Sequence, residues 1–181
     1  FLRAGPAYGG SCFPKDTKAI TTTADKFNTN LSVIKSVIKS NENRSLLLLK
    51  RVFHLLKGKV KNKKICFLGV TFKANTDDMR DSSSLSMIPS LVRKGAKVNY
   101  YDPTGEKNEF KKIKNVNFSK NIKSAIKDSD LVIIHTEWND FKTINFNKDV
   151  SNKKFILFDM RNIYSPVKMK DLKINYFGVG H

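Results

Sequence analysis

Cysteine, histidine, tryptophan and acidic residues are all scarce in this sequence, and each shortage excludes something. Only two cysteines occur, Cys12 and Cys66, far apart and in unlike contexts. They make no disulfide framework, so a reducing, cytoplasmic setting is expected. The three histidines, His54, His135 and His181, are isolated, and no group of His, Cys, Asp or Glu has metal-ligand spacing, so no metal is expected. His135, closing an apolar run, reads as a structural histidine. No apolar run approaches the ~20 residues that span a bilayer, and the first residues carry neither an initiator Met nor a signal-peptide pattern. No membrane partner is expected. There is no internal repeat and no low-complexity tract. Against 34 Lys and Arg stand 16 acidic residues, a net charge of +18 that favours anionic ligands. The lysines are scattered and lack aromatic stacking platforms, so a phosphate-bearing small molecule is expected rather than a specific nucleic acid.

What is present is one domain's worth of chain with a helical appendage. The spacing predicts a helix from Pro14 to about Phe27, a break at Asn28–Asn30, and a second helix from Leu31 to Leu56, 26 residues if unbroken. Its stripe of Leu31, Ile34, Ile38, Leu46, Leu49, Val52, Phe53 and Leu56 needs a partner, either its own domain or a second copy. The basic connector Gly58–Lys64 divides the chain into 1–57 and 58–181. Beyond it come apolar strands at 65–70, 98–101, 131–134, 155–158 and 174–177, with helices near 82–95 and 119–126. Strands alternating with helices predict an α/β class, a Rossmann-like parallel-sheet domain following the long helix. Yet the first strand leads into Gly69-Val70-Thr71-Phe72-Lys73, not the G-x-G-x-x-G that seats a pyrophosphate. Asp102 ends the second strand, where a ribose-binding acid would lie, but without the glycines it carries little.

Two stretches carry chemistry. In Gly9-Gly10-Ser11-Cys12-Phe13-Pro14-Lys15-Asp16 the glycines allow a tight turn, Ser11 is a natural helix cap, and Pro14 suits a first helical turn. Cys12 then stands at a helix N-terminus with Lys15 nearby, a setting for a thiolate; the alternative is a small buried hydrophobe. The second stretch, Thr71 to Ser82, is a charged loop at the carboxyl end of a buried strand. There Lys73 and Arg80 suit phosphate oxygens, unless the loop's acids and bases merely balance one another.

The run from Phe1 to Ala19 resembles the catalytic-cysteine segment of the UDP-glucose/GDP-mannose dehydrogenase family, with Ala7 where glycine is usual. Thr136-Glu137-Trp138 with Phe141, Asp159-Met160-Arg161-Asn162 (Met160 in place of a glycine) and Tyr176–Gly180 resemble later motifs of that family in the same order. The resemblance implies a four-electron, NAD-dependent oxidation of UDP-glucose to UDP-glucuronate through a thiohemiacetal and a thioester. It also implies that the NAD-binding domain precedes these residues, so that the chain would be an inactive piece of a longer protein. It makes Cys12 and Asp16 catalytic. Arg3, Ala4, Gly5, Pro6, Ala7, Tyr8, Gly9 and Lys73 would bind the sugar nucleotide, Lys15 and Arg80 the cofactor, and the long helix would build a homodimer. A GDP-mannose dehydrogenase is the nearest alternative within the family; a basic nucleic-acid-binding module and a non-catalytic dimerising fragment are the alternatives outside it.

Overall fold

Short runs of β-branched and aromatic residues, each closed by a Gly, Asp or polar turn, set the framework. The computed structural model describes residues 5–180. It contains strands β1 (Lys64–Leu68), β2 (Lys97–Tyr101), β3 (Val116–Phe118), β4 (Leu131–Ile134), β5 (Ile156–Asp159) and β6 (Asn175–Gly178). They form one sheet in the order β3-β2-β1-β4-β5-β6 with every pairing parallel. This is the doubly wound order, in which the chain reverses direction across the sheet between β1 and β4.

The helices are α1 (Phe13–Lys26), α2 (Ser32–Leu55), α3 (Ser84–Arg93), α4 (Asn108–Lys111), α5 (Ile122–Ile126), α6 (Phe146–Asp149) and α7 (Pro166–Asp171), with a 3-10 turn at Asn139–Thr143. Burial from Ile65 to Leu68 and throughout β4 is complete, as central strands covered on both faces require. Alternate side chains feed two cores. Ile65, Phe67, Leu131, Ile133 and Phe158 join α2 and α3 on one side. Cys66, Leu68, Val132, Ile134 and Leu157 pack under α5 and α6 on the other. Burying a side chain of this size is worth about 1.5–3 kcal/mol, so the two layers supply most of the cohesion.

The unexpected elements are the short ones. β3, α4, α6 and α7 span three to six residues. Their polar sequences give no periodic signal, and tertiary packing holds them in place. α2 runs 24 residues without a break at Asn41–Asn43. Its stripe divides. Leu48, Leu49, Val52 and Leu56 enter the sheet core, Ile34 and Ile38 are half-buried, and Val33 and Val37 are left 73% and 41% exposed. The outward apolar positions are therefore the valines rather than the isoleucines. Among the described residues no helix is long and apolar enough to cross a membrane.

Candidate functional site

The turn that bears Cys12 is held at both ends by main chain from other elements. Gly10 N–H donates to the carbonyl of Arg80 at 2.8 Å, tying the turn to the loop between β1 and α3. Gly10 has φ +85°, and a methyl group there would press on the Phe72 ring at 2.8 Å; one at Gly9 would meet the Asp81 carbonyl at 2.6 Å. Both positions need glycine, one for its backbone and one for its contact. The turn delivers Cys12 to the N-cap of α1, exposed, with Pro14 in the first helical turn. The cap differs from the expected one. Cys12 itself occupies the position with no side-chain cap, and Ser11 turns its hydroxyl to the Cys12 sulfur at 3.5 Å. Asp16 follows one turn on, its N–H donating to Cys12 O at 2.8 Å.

Opposite the thiol lies the crevice outside the β1 and β4 ends, where the strand order reverses. A cleft of about 940 Å³ runs there between the cysteine turn, α2 and the strand-end loops. Of the residues expected at the sugar nucleotide, Gly5, Ala7, Tyr8, Gly9 and Lys73 line it together with Cys12, while Pro6 is buried behind them. Arg3 and Ala4 lie outside the described residues. Lys15 and Asp16 face each other at 3.6 Å on the exposed side of α1, outside the cleft lining. Arg80 also lies off the cleft. Its guanidinium forks onto Asp78, with Nε at 2.9 Å from Oδ1 and Nη2 at 2.8 Å from Oδ2. Those bonds hold the Asp78 carboxyl below its usual range and raise Arg80.

Three residues of the cleft escaped the sequence reading as site residues. Arg161, just past β5, is the first. Its Nε donates to His135 O at 3.0 Å, its Nη2 to Phe72 O at 2.8 Å, and Glu137 Oε2 stands 2.8 Å from Nε. The Nε hydrogen is directed at the carbonyl, so Glu137 neutralises the charge without a hydrogen bond at Oε2. Burial lowers the Arg161 pKa, with Glu137 opposing. Below it, His135 bridges Ser83 Oγ at 2.8 Å and Thr136 Oγ1 at 3.2 Å, a structural role as expected. The other two are Asn41 and Arg44, on the face of α2 toward the cleft. Arg161 stands in the Asp159–Asn162 motif noted in the sequence, but nothing in that motif tells that its side chain reaches the cleft. Mid-helix Asn41 gave no signal.

The place where this fold usually seats a dinucleotide is filled by the protein itself. Val70 N–H donates to Asp102 Oδ2 at 2.9 Å, and Ser82 and Ser84 both donate to Val70 O at 2.6 Å. Asp102 is fully buried, with Thr104 on its other oxygen, and is not available to a ribose. Residues fit for a pyrophosphate are therefore not found at this strand end. Nor, among the described residues, does any group of three His, Cys, Asp or Glu stand where it could hold a metal ion.

Two family models match the chain: the UDP binding domain of the UDP-glucose/GDP-mannose dehydrogenase family at residues 66–166, and its central domain at residues 1–43. The UDP-glucose 6-dehydrogenase of Rhizobium meliloti (strain 1021) is 38% identical over 181 residues, spanning 99% of this chain and 41% of that protein. UDP-glucose 6-dehydrogenase YwqF of Bacillus subtilis (strain 168) is 37% identical over 99% of this chain and 41% of its own length. Among solved structures, a UDP-glucose dehydrogenase from Pyrobaculum islandicum superposes with a TM-score of 0.80 at 27% identity, covering 97% of this chain and 38% of that one. The chain thus spans well under half of the relatives it matches.

Proposed function

The chain belongs to the UDP-glucose/GDP-mannose dehydrogenase family, and on that premise we propose that it supplies the sugar-nucleotide cleft and the reactive thiol for oxidation of UDP-glucose to UDP-glucuronate. One observation carries the reading: the exposed Cys12 shares a single cleft with Lys73, Arg44 and Arg161. The three cations suit a diphosphate, and the thiol lines the same space. NAD would be held by residues other than the filled β1 end, and two molecules of it, one for each oxidation, would each take up one hydride. Lys15 and Arg80, exposed beside the cysteine turn, are the cations we assign to it.

The remaining steps belong to this chain. The C6 alcohol loses a hydride and a proton to become an aldehyde, and the Cys12 thiolate adds to its carbonyl carbon to give a thiohemiacetal. Loss of a second hydride and a proton leaves a thioester. Water adds to that carbonyl, the carbon–sulfur bond breaks, and the thiolate is regenerated with a carboxylate product. Asp16, one turn from Cys12, is the residue we assign to the attacking water and its proton, a role that requires its carboxylate to turn from Lys15 toward the cleft. Two copies meet along α2, where Val33, Val37 and Leu47, on one side of the helix, are 41–73% exposed. Such an apolar strip on a lone chain is a surface that a partner covers.

Calorimetry with the 181-residue chain tests the binding half of the proposal. UDP-glucose should bind saturably and more tightly than GDP-mannose, and Lys73→Ala should weaken it about tenfold, the loss of one charge-assisted contact. A chain that takes up neither nucleotide sugar, or prefers GDP-mannose, overturns the substrate assignment.

A further inference from the structure

The loop that lines the cleft on the cysteine side has no regular structure of its own, and its position comes from α2. Asn41 sets its side-chain amide against the main chain of Tyr8, accepting from Tyr8 N–H at 2.8 Å and donating to Tyr8 O at 3.0 Å. One side chain thereby replaces both hydrogen bonds that a neighbouring strand would make. Three residues along, Arg44 places Nε and Nη2 on the carbonyl of Gly5, at 3.2 and 3.1 Å. The other side of Gly5 lies against Arg161, so closely that a methyl group on its Cα would stand 2.8 Å from the guanidinium. Gly5 is thus held between two arginines from opposite walls of the cleft.

Resting on the UDP-glucose reading above, we infer that Asn41 and Arg44 are positioning residues for nucleotide-sugar binding, a two-point clamp by which α2 sets the Gly5–Tyr8 loop against Arg161. The chemistry at position 41 is restrictive. Only a carboxamide offers one acceptor and one donor to the two main-chain groups of a single residue at this reach. An aspartate keeps the acceptor but sets a carboxylate against the Tyr8 carbonyl. Asparagine is also a poor choice for the middle of a helix, where alanine is better by roughly 0.7 kcal/mol. A residue kept only for α2 would therefore be improved by alanine. One kept for the loop would not.

The clamp completes the support of the turn. Tyr8 is fixed to α2 by Asn41, and Gly10 to the β1–α3 loop by the Arg80 carbonyl. Cys12 follows two residues beyond the second anchor. Arg44 has a double use, since it lines the cleft with N–H groups that Gly5 does not occupy.

The test compares Asn41→Ala, Asn41→Gln and Arg44→Lys in the 181-residue chain by two readouts. These are the affinity for UDP-glucose, and amide hydrogen exchange at Tyr8 without ligand. Asn41→Ala is expected to melt no lower than the unsubstituted chain, yet to exchange Tyr8 N–H about tenfold faster and bind UDP-glucose about tenfold more weakly. Asn41→Gln, with the same groups one methylene farther out, should recover part of both losses. Arg44→Lys should weaken binding and leave Tyr8 exchange unchanged. Unchanged exchange and affinity in Asn41→Ala overturns the clamp. Failure of the unsubstituted chain to bind UDP-glucose, with Tyr8 protection still dependent on Asn41, overturns the substrate reading while the clamp stands.

Discussion

Cys12 and His135 mark two extremes of what a titratable side chain does here. Cys12 is exposed at a helix N-cap and is the residue proposed to react. In an enzyme that joins this chain to a dinucleotide-binding domain, Cys12→Ser should reduce overall turnover at least a thousandfold while sparing UDP-glucose affinity, because the covalent route disappears and few ground-state contacts do. Turnover within a few fold of the parent enzyme would dispose of the thioester. His135 is the opposite case. Burial, with the Arg161 charge beside it, pushes its pKa from 6.5 down to about 3. The unfolded chain therefore takes up a proton between those values that the folded chain refuses. Stability should fall as pH drops from about 6.5 toward 3, by about 1.4 kcal/mol per pH unit for this one group. Melting curves between pH 7 and 4.5 should show a shallower decline for His135→Gln; parallel declines would contradict it. Much of the site was legible at this scale because glycine, proline and cysteine report local geometry directly. The Gly9–Asp16 turn forms as read, save for its cap. Arg161 and Asn41 were not legible as site residues, because their roles come from neighbours far along the chain, Phe72 in one case and Tyr8 in the other.

The long helix is the element in which sequence and structure agree on extent and differ on face. Periodicity located α2 and its entry into the sheet core, since Leu49, Val52 and Leu56 recur at helical spacing on one side. Periodicity could not say which residues of the first half point outward, because α1 covers part of that half and its placement is tertiary. Ile34 and Ile38 are half-buried, so an Asp at either should destabilise the fold by a few kcal/mol, the cost of a charge among apolar neighbours. Val33 and Val37 are exposed, and Asp at both should leave the melting temperature nearly unchanged while converting a dimer to a monomer. Sedimentation at micromolar concentration separates the two cases. A monomer before substitution would remove α2 as the contact between copies. The strands were the most legible elements: β1 and β4 are continuous apolar runs because both faces are covered. At the sheet's edge, β3 has three residues, two of them half-buried and one exposed, and nothing in its sequence announces it.

At the scale of the molecule, a charge of +18 is far more than one cleft can use. The excess is expected to draw the chain weakly and without sequence preference to any polyanion. DNA retention should drop steeply between about 50 and 200 mM salt, as counterion release demands. UDP-glucose, engaging the half-buried Arg44 and Arg161 as well as the exposed Lys73, should lose much less over the same range. Parallel salt dependence of the two would mean that the sugar nucleotide, too, is held only by diffuse charge. The contact of Gly5 with Arg161 has a consequence of another kind, in the order of synthesis. The two are about 150 residues apart, and a ribosome adding about 5–20 residues per second needs roughly 8–30 s to travel from one to the other. The cysteine turn leaves the ribosome before Phe72, on which it then gains its seat. It receives the far wall of its cleft only when β5 has been added to the sheet. Until then the nascent chain carries an accessible thiol beside an unfinished cleft, so the residue proposed to react is open to stray oxidants before any substrate could cover it.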